Sequence, residues 1–195
     1  MFNAKQIKMK EIFMRHIKLI KSISLLISLF LITSCSNNAA MKPEDFKNKE
    51  PRLIIEEYLS GNVKAWGVLQ NRSGKVTRQF SADLNGKWDG KRLILDEKFN
   101  WDDGEIQNRQ WQITKIDQNN YEGTAGDVVG KAKGFSYGPA FKFEYVLLVP
   151  VKGKEMKITF DDWIFKQDDR VAINRATMTK FGFKVAELTV VFVKD

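Results

Sequence analysis

The sequence predicts an all-β fold: an antiparallel up-and-down β-barrel of eight to ten strands preceded by one short helix. Three observations predict it. Apolar residues recur at every second position in run after run beyond Asn62, turn-forming clusters punctuate those runs, and the intervals leave no room for crossover helices. A meander of this many strands removes its edges most economically by closing on itself, and a two-sheet sandwich is the alternative.

Residues 1–34 read as a signal peptide. Lys5, Lys8, Lys10, Arg15, Lys18 and Lys21 make the first part basic, with Glu11 the only acid, and "SISLLISLFLITS" (Ser22–Ser34) carries no charge. That run falls short of the roughly 20 apolar residues that span a bilayer, but it suits the apolar region of a secretory signal. The stretch Leu31-Ile32-Thr33-Ser34-Cys35 resembles the lipobox of bacterial lipoproteins. The resemblance implies that the Cys35 thiol receives a diacylglyceryl group, that the chain is cut before Cys35, and that the new amino terminus is acylated. Several acyl chains anchor stably where one binds marginally, at about 0.8 kcal/mol per buried methylene. A plain secretory signal with an unrelated cysteine is the alternative. Ser36 in place of aspartate after the cysteine points, by the same resemblance, to the periplasmic face of the outer membrane. Met14 is an alternative start that keeps Arg15, Lys18 and Lys21 ahead of the apolar run.

Removal of residues 1–34 changes the composition that matters. It takes six of the 32 basic and one of the 24 acidic residues, leaving 26 and 23, a net charge of +3 against +8 for the whole chain. So mild a charge argues against nucleic acid as a partner. The only histidine, His16, and the only cysteine, Cys35, both leave the folded body, which excludes histidine-based triads, cysteine nucleophiles, Cys/His zinc sites and disulfides. No cofactor is expected.

Residues 35–50 read as the lipidated anchor and a polar tether, and residues 51–195 as one barrel domain. "PRLIIEEYLSG" (Pro51–Gly61) reads as the helix, with proline suited to its first turn and Gly61 to its end. Strand runs follow. Val76, Phe80, Ala82 and Leu84 share one face, as do Leu93, Leu95, Phe99 and Trp101; so do Phe141, Phe143, Tyr145, Leu147 and Val149; and Met156, Ile158 and Phe160 continue the pattern, as does Val171 with Ile173. "NRSGK", "LNGKWDGK", "WDDGE", "DQNN", "KGFSYGPA", "PVKGKE" and "KQDD" supply the turns. The other face of these strands is charged, which excludes a transmembrane barrel.

"VKAWGVLQNRSGKVTRQF" (Val63–Phe80), "YEGTAGDVVGKAKG" (Tyr121–Gly134) and "TFDDWIFKQDDRVAINRATMTKFGF" (Thr159–Phe183), together with the lipobox, resemble the bacterial lipoprotein family labelled domain of unknown function 3833. The resemblance runs from about Phe46 to the end of the chain and is most specific in the third stretch. It implies an envelope lipoprotein of the lipocalin-like barrel type and no settled activity.

Asp102-Asp103, Asp161-Asp162 and Asp168-Asp169 are paired acids, but neighbours on a strand point to opposite faces, no calcium-loop spacing is present, and the first and third pairs sit at turns. Asp162 differs, because it shares the parity of Phe160 and Ile164. If the "KQDD" turn closes with an even number of residues, Phe165 faces Arg170, Asp162 faces Ile173, and Arg175 lies diagonally across the inner face from Asp162, about 7–8 Å between backbones. An odd count would reverse the parity and expose Asp162. Arg78 is the polar exception among Val76, Phe80 and Ala82. Arg78 and Arg175 are thus candidates to receive a carboxylate or phosphate head group, with Asp162 holding one of them, the tail in an apolar cavity, and Trp66 as a candidate lining residue. A structural ion pair at the barrel mouth is the alternative. Lys180-Phe181-Gly182-Phe183 reads as an aromatic turn, either covered or a partner contact.

Three functions remain open: a module binding a fatty acid, a phospholipid or another apolar anion; a structural or assembly protein with a fully packed barrel and an envelope-protein partner; and, least supported, a lipid-modifying isomerase or cyclase, for which no nucleophile–base pair is visible.

Overall fold

The computed structural model describes residues 40–151 and 153–195; the signal segment and Cys35 lie outside the described residues. Ten strands follow one another: β1 (Gly61–Asn71), β2 (Val76–Trp88), β3 (Arg92–Trp101), β4 (Ile106–Lys115), β5 (Asn120–Thr124), β6 (Ala132–Tyr137), β7 (Ala140–Val151), β8 (Lys154–Lys166), β9 (Val171–Lys180) and β10 (Phe183–Lys194). Each pairs antiparallel with its sequence neighbours, and β1 also pairs with β10, from Val63 opposite Lys194 to Asn71 opposite Ala186, which closes the barrel. Period-two burial follows from closure. On β2, for example, Phe80, Ala82 and Leu84 are buried while Gln79, Ser81 and Asp83 are exposed.

One end of the barrel is plugged. A short helix, α1 (Ile55–Tyr58), lies across it, and Leu53, Ile55, Tyr58 and Leu59 are buried there, the three aliphatic side chains each worth about 1.5–3 kcal/mol. The Leu59 carbonyl comes so close to β2 that a Cβ on Gly86 would lie 1.8 Å from it, so only glycine fits. Lys194 donates from Nζ to the carbonyls of Glu57 (2.6 Å), Tyr58 (3.0 Å) and Ser60 (2.9 Å), satisfying acceptors that the helix end leaves open. The helix is shorter than the expected Pro51–Gly61. Leu53 instead donates its N–H to the Gly138 carbonyl (2.8 Å) and accepts from Ser136 Oγ (2.9 Å), which holds the preceding residues extended. Pro43–Phe46 forms a single 310 turn, and the Phe46 ring packs 5.4 Å from Phe165 and 6.0 Å from Trp163, so the segment assigned to the tether docks on the barrel from Pro43 onward.

The register between β8 and β9 corrects the sequence reading. Lys166 pairs with Ala172 across five residues, an odd number, because Asp168 Oδ1 accepts from the N–H groups of Arg170 (2.8 Å) and Val171 (2.7 Å) and tightens the connection. Asp162 stays inward with Phe160, while on β9 the inward residues are Ala172, Asn174 and Ala176 rather than Val171 and Ile173. Trp163 therefore faces Arg175, and Arg175 points out.

The opposite end is open. The β1–β2, β3–β4, β7–β8 and β9–β10 hairpins turn there, together with the β5–β6 connection. The wall is also incomplete near this end: β4 pairs with β5 only over Gln112–Lys115, and β6 reaches β7 only as far as Glu144. Residues 125–131 bridge the gap, through Val129 N–H to the Val146 carbonyl (2.8 Å) and Leu148 N–H to the Asp127 carbonyl (2.9 Å).

Candidate functional site

Between the plug and the open end lies a cavity of about 440 Å³, within the range that holds a small organic ligand. Ile55, Leu59, Phe192 and Phe141 line it towards the plug, and Leu69, Arg78, Glu105, Val149 and Met178 line it towards the open end. Leu148 and Pro150, of outward parity on β7, line it as well, so the cavity also opens sideways through the gap beside upper β7.

Its wall is largely apolar, with one buried set of polar side chains deep inside and a second polar group, around Arg78 and Glu105, near the mouth. Arg109 on β4 grips Asp127 of the β5–β6 connection, with Nε 3.0 Å and Nη2 2.8 Å from Oδ2, and its Nη1 lies 3.7 Å from Glu97 on β3. Glu97 is only 12 % exposed, and its Oε2 has no hydrogen-bond partner among the described residues. Burial pushes its carboxyl up to about 7, which the Arg109 guanidinium only partly offsets. Tyr145 is wedged between the Phe160 ring, stacked at 5.0 Å, and the Trp111 ring, edge-on at 5.2 Å. That packing aims its hydroxyl at Asp162 Oδ2 (2.9 Å). Asn174 donates to Asp162 Oδ1 and to the Trp163 carbonyl (3.1 Å). Burial raises the Asp162 carboxyl, with the Asn174 and Tyr145 bonds opposing it, and the Tyr145 hydroxyl is raised well above its ordinary range.

Arg78 lines the cavity near its mouth, where Nη2 binds Asp103 (2.7 Å) and Glu105 (2.9 Å) and the guanidinium lies 4.0 Å over the Trp101 ring. Of the residues singled out from sequence, the structure brings Arg78 and Asp162 to the cavity and leaves two outside it. Arg175 is 67 % exposed on the outer wall, 3.7 Å from Glu187, because the odd β8–β9 connection turns it out. Trp66 is 50 % exposed, because Val63 and Ala65 take the inward parity of β1. The arginine pair expected for an anionic head group is therefore not assembled. Both interior arginines already face two carboxylates each, and Asp162 adds a fifth acid. Among the described residues, no group of three or more histidine, cysteine, aspartate or glutamate side chains is placed to hold a metal ion.

Sequence reasoning missed Glu97, Arg109, Asp127 and Asn174. Glu97 had a readable signal, standing between Leu95 and Phe99 on their parity; Asp127 had none, since it comes from a loop.

A closed antiparallel barrel with one plugged end and a mostly apolar interior defines a lipocalin-like barrel protein. Within that class the chain belongs to the family described as protein of unknown function (DUF3833), whose model matches residues 29–194. Solved structures that share the fold include two with a TM-score above 0.5. The S-type phycobiliprotein lyase of Guillardia theta is 9 % identical, with a TM-score of 0.55 over 72 % of this chain and 90 % of that one. A protein of unknown function from the DUF3598 family of Nostoc punctiforme is 15 % identical, with a TM-score of 0.56 over 75 % of this chain and 51 % of that one. A comparison with curated proteins finds no match.

Proposed function

We propose that the protein is a binding module that holds one apolar small molecule of lipid character in its barrel, presented at the periplasmic face of the outer membrane by a lipid on Cys35. The carrying observation is the cavity of about 440 Å³ with its largely apolar wall and buried polar set. A fully packed barrel, the form a purely structural role would take, leaves no such space. The anchor rests on the basic flank, the apolar run and the Leu31–Cys35 pattern.

The polar set supports a particular kind of head group. Asp162 keeps spare acceptor capacity on two oxygens already oriented by Tyr145 and Asn174. The one deep arginine, Arg109, is already bound to Asp127 and faces Glu97, so it offers no free cation to a fixed anion. A neutral head that donates a hydrogen bond, such as a hydroxyl, an amide or a protonated carboxyl, fits better than a phosphate.

Two probes of the same ring system test this. N-Phenylnaphthylamine is neutral and carries an N–H donor; anilinonaphthalene sulfonate adds a fixed anion. The neutral probe is expected to bind saturably with one site, the sulfonate at least about ten-fold more weakly, and Leu69→Trp, which fills the mouth, to abolish both while leaving the far-ultraviolet spectrum unchanged. Equal binding of the two, or binding insensitive to Leu69→Trp, would count against this reading.

A further inference from the structure

We propose that the open-end rim made by the β1–β2, β9–β10 and β7–β8 hairpins docks on an anionic lipid bilayer, with the β9–β10 turn as its inserting tip. These three hairpins are neighbours around the barrel, since the strand order there runs β2-β1-β10-β9-β8-β7. Their tips concentrate exposed apolar side chains: Phe181 is 88 % and Phe183 69 % exposed, and Val76, Val151 and Val185 join them. Interleaved with these are the exposed cations Arg72, Lys75, Lys154 and Lys184, and half-buried Lys180. Glu155 and Glu187 are the acids on these hairpins near the tips, and Glu187 is engaged by Lys184 at 3.1 Å. Aromatic rings beside lysines are the composition of a membrane-interface anchor, in which the rings enter the headgroup layer and the lysines meet anionic lipids.

The turn itself carries a second, independent observation. Phe181 (φ 50) and Gly182 (φ 80) both adopt the left-handed conformation, the geometry of a two-residue turn that asparagine-glycine fills without strain. A phenylalanine at the first position is strained and buries nothing in the barrel, so neither turn chemistry nor the core accounts for it. The β3–β4 turn differs in sign: it holds Asp102, Asp103 and Glu105, the last two bound to Arg78. A bilayer would thus meet one basic, aromatic side of the mouth. The 310 turn packs through Phe46 at the plugged end, so this rim lies at the other end of the barrel from it. The docking surface stands whether or not the cavity binds a ligand.

The test uses the purified full-length protein mixed with vesicles of equal parts phosphatidylcholine and phosphatidylglycerol that contain a photoactivatable phosphatidylglycerol, with cross-linked peptides mapped by mass spectrometry after illumination. Cross-links are expected on the β9–β10 turn and to be lost in vesicles of phosphatidylcholine alone. Lys180→Glu with Lys184→Glu should lower their yield by at least about five-fold for each charge reversed. Phe181→Asn separates docking from folding: it suits the turn, so the unfolding midpoint should hold or rise while the cross-links fall several-fold. Labelling confined to other parts of the chain, labelling of the turn that ignores lipid charge or survives Phe181→Asn, or an unlabelled turn together with a dimer in sedimentation that Phe181→Asn disperses would each overturn the proposal, the last in favour of self-association.

Discussion

Glu97 couples the interior of the barrel to pH. Burial raises its carboxyl from an ordinary 4.5 to about 7, so the folded protein holds that proton more tightly than the unfolded chain does. Its contribution to stability is fully present below 4.5 and is lost as pH rises through 7, and Asp162, also raised by burial, acts in the same direction. Asp103, Asp117 and Asp168 act in the opposite sense: their bonds hold them below 3.8, and their contribution is lost only as pH falls beneath that value. Glu97→Gln should therefore flatten the decline of the unfolding midpoint across that upper window and gain up to about 3 kcal/mol above it. A wild-type midpoint that rises with pH there would refute this. The same residue shows why the site was only partly legible. Arg78 and Asp162 announce themselves as charges on strongly apolar faces; Glu97 shares the parity of Leu95 and Phe99, but its signal is diluted by the charged run Asp96-Glu97-Lys98, and Arg109 precedes Trp111 in "QNRQW", where apolar alternation is too weak to reveal a face.

At the scale of elements, residues 125–131 are the weak panel of the wall. Two backbone hydrogen bonds to β7 and the Arg109–Asp127 pair hold them across the gap through which the cavity opens sideways. Asp127→Asn removes the charge but keeps one acceptor, so the panel should loosen without loss of the barrel. Amide exchange at Val129 and Leu148 is expected to quicken by about ten-fold or more, and the neutral probe to leave faster. Unchanged exchange at both amides would show that the pair does not latch the panel. Elements of this kind are hard to read from sequence, because a loop that completes a sheet has no period. The β8–β9 connection failed for a related reason: one residue more or less in the turn inverts an entire face, and an aspartate side chain that accepts two N–H groups decides the count. Strand positions were legible because each carries its own alternation, independent of its neighbours' register.

For the whole molecule, closure followed from the number of alternating runs and the absence of crossover helices, and the family resemblance followed from three stretches spread along the chain. Whether the closed barrel would be hollow was not legible. Inward Phe, Trp and Leu look the same in sequence whether they interdigitate or leave a cavity, and the difference here comes from where α1 stops and how far the short strands β5 and β6 reach. The proposed function requires that this space hold a ligand. The most direct measurement is native mass spectrometry of the protein purified from a bacterial envelope, followed by solvent extraction of the same sample. One stoichiometric added mass is expected, extractable as an apolar molecule with a neutral, hydrogen-bond-donating head and absent from Leu69→Trp. A bare protein mass, unchanged after incubation with membrane lipids, would contradict it.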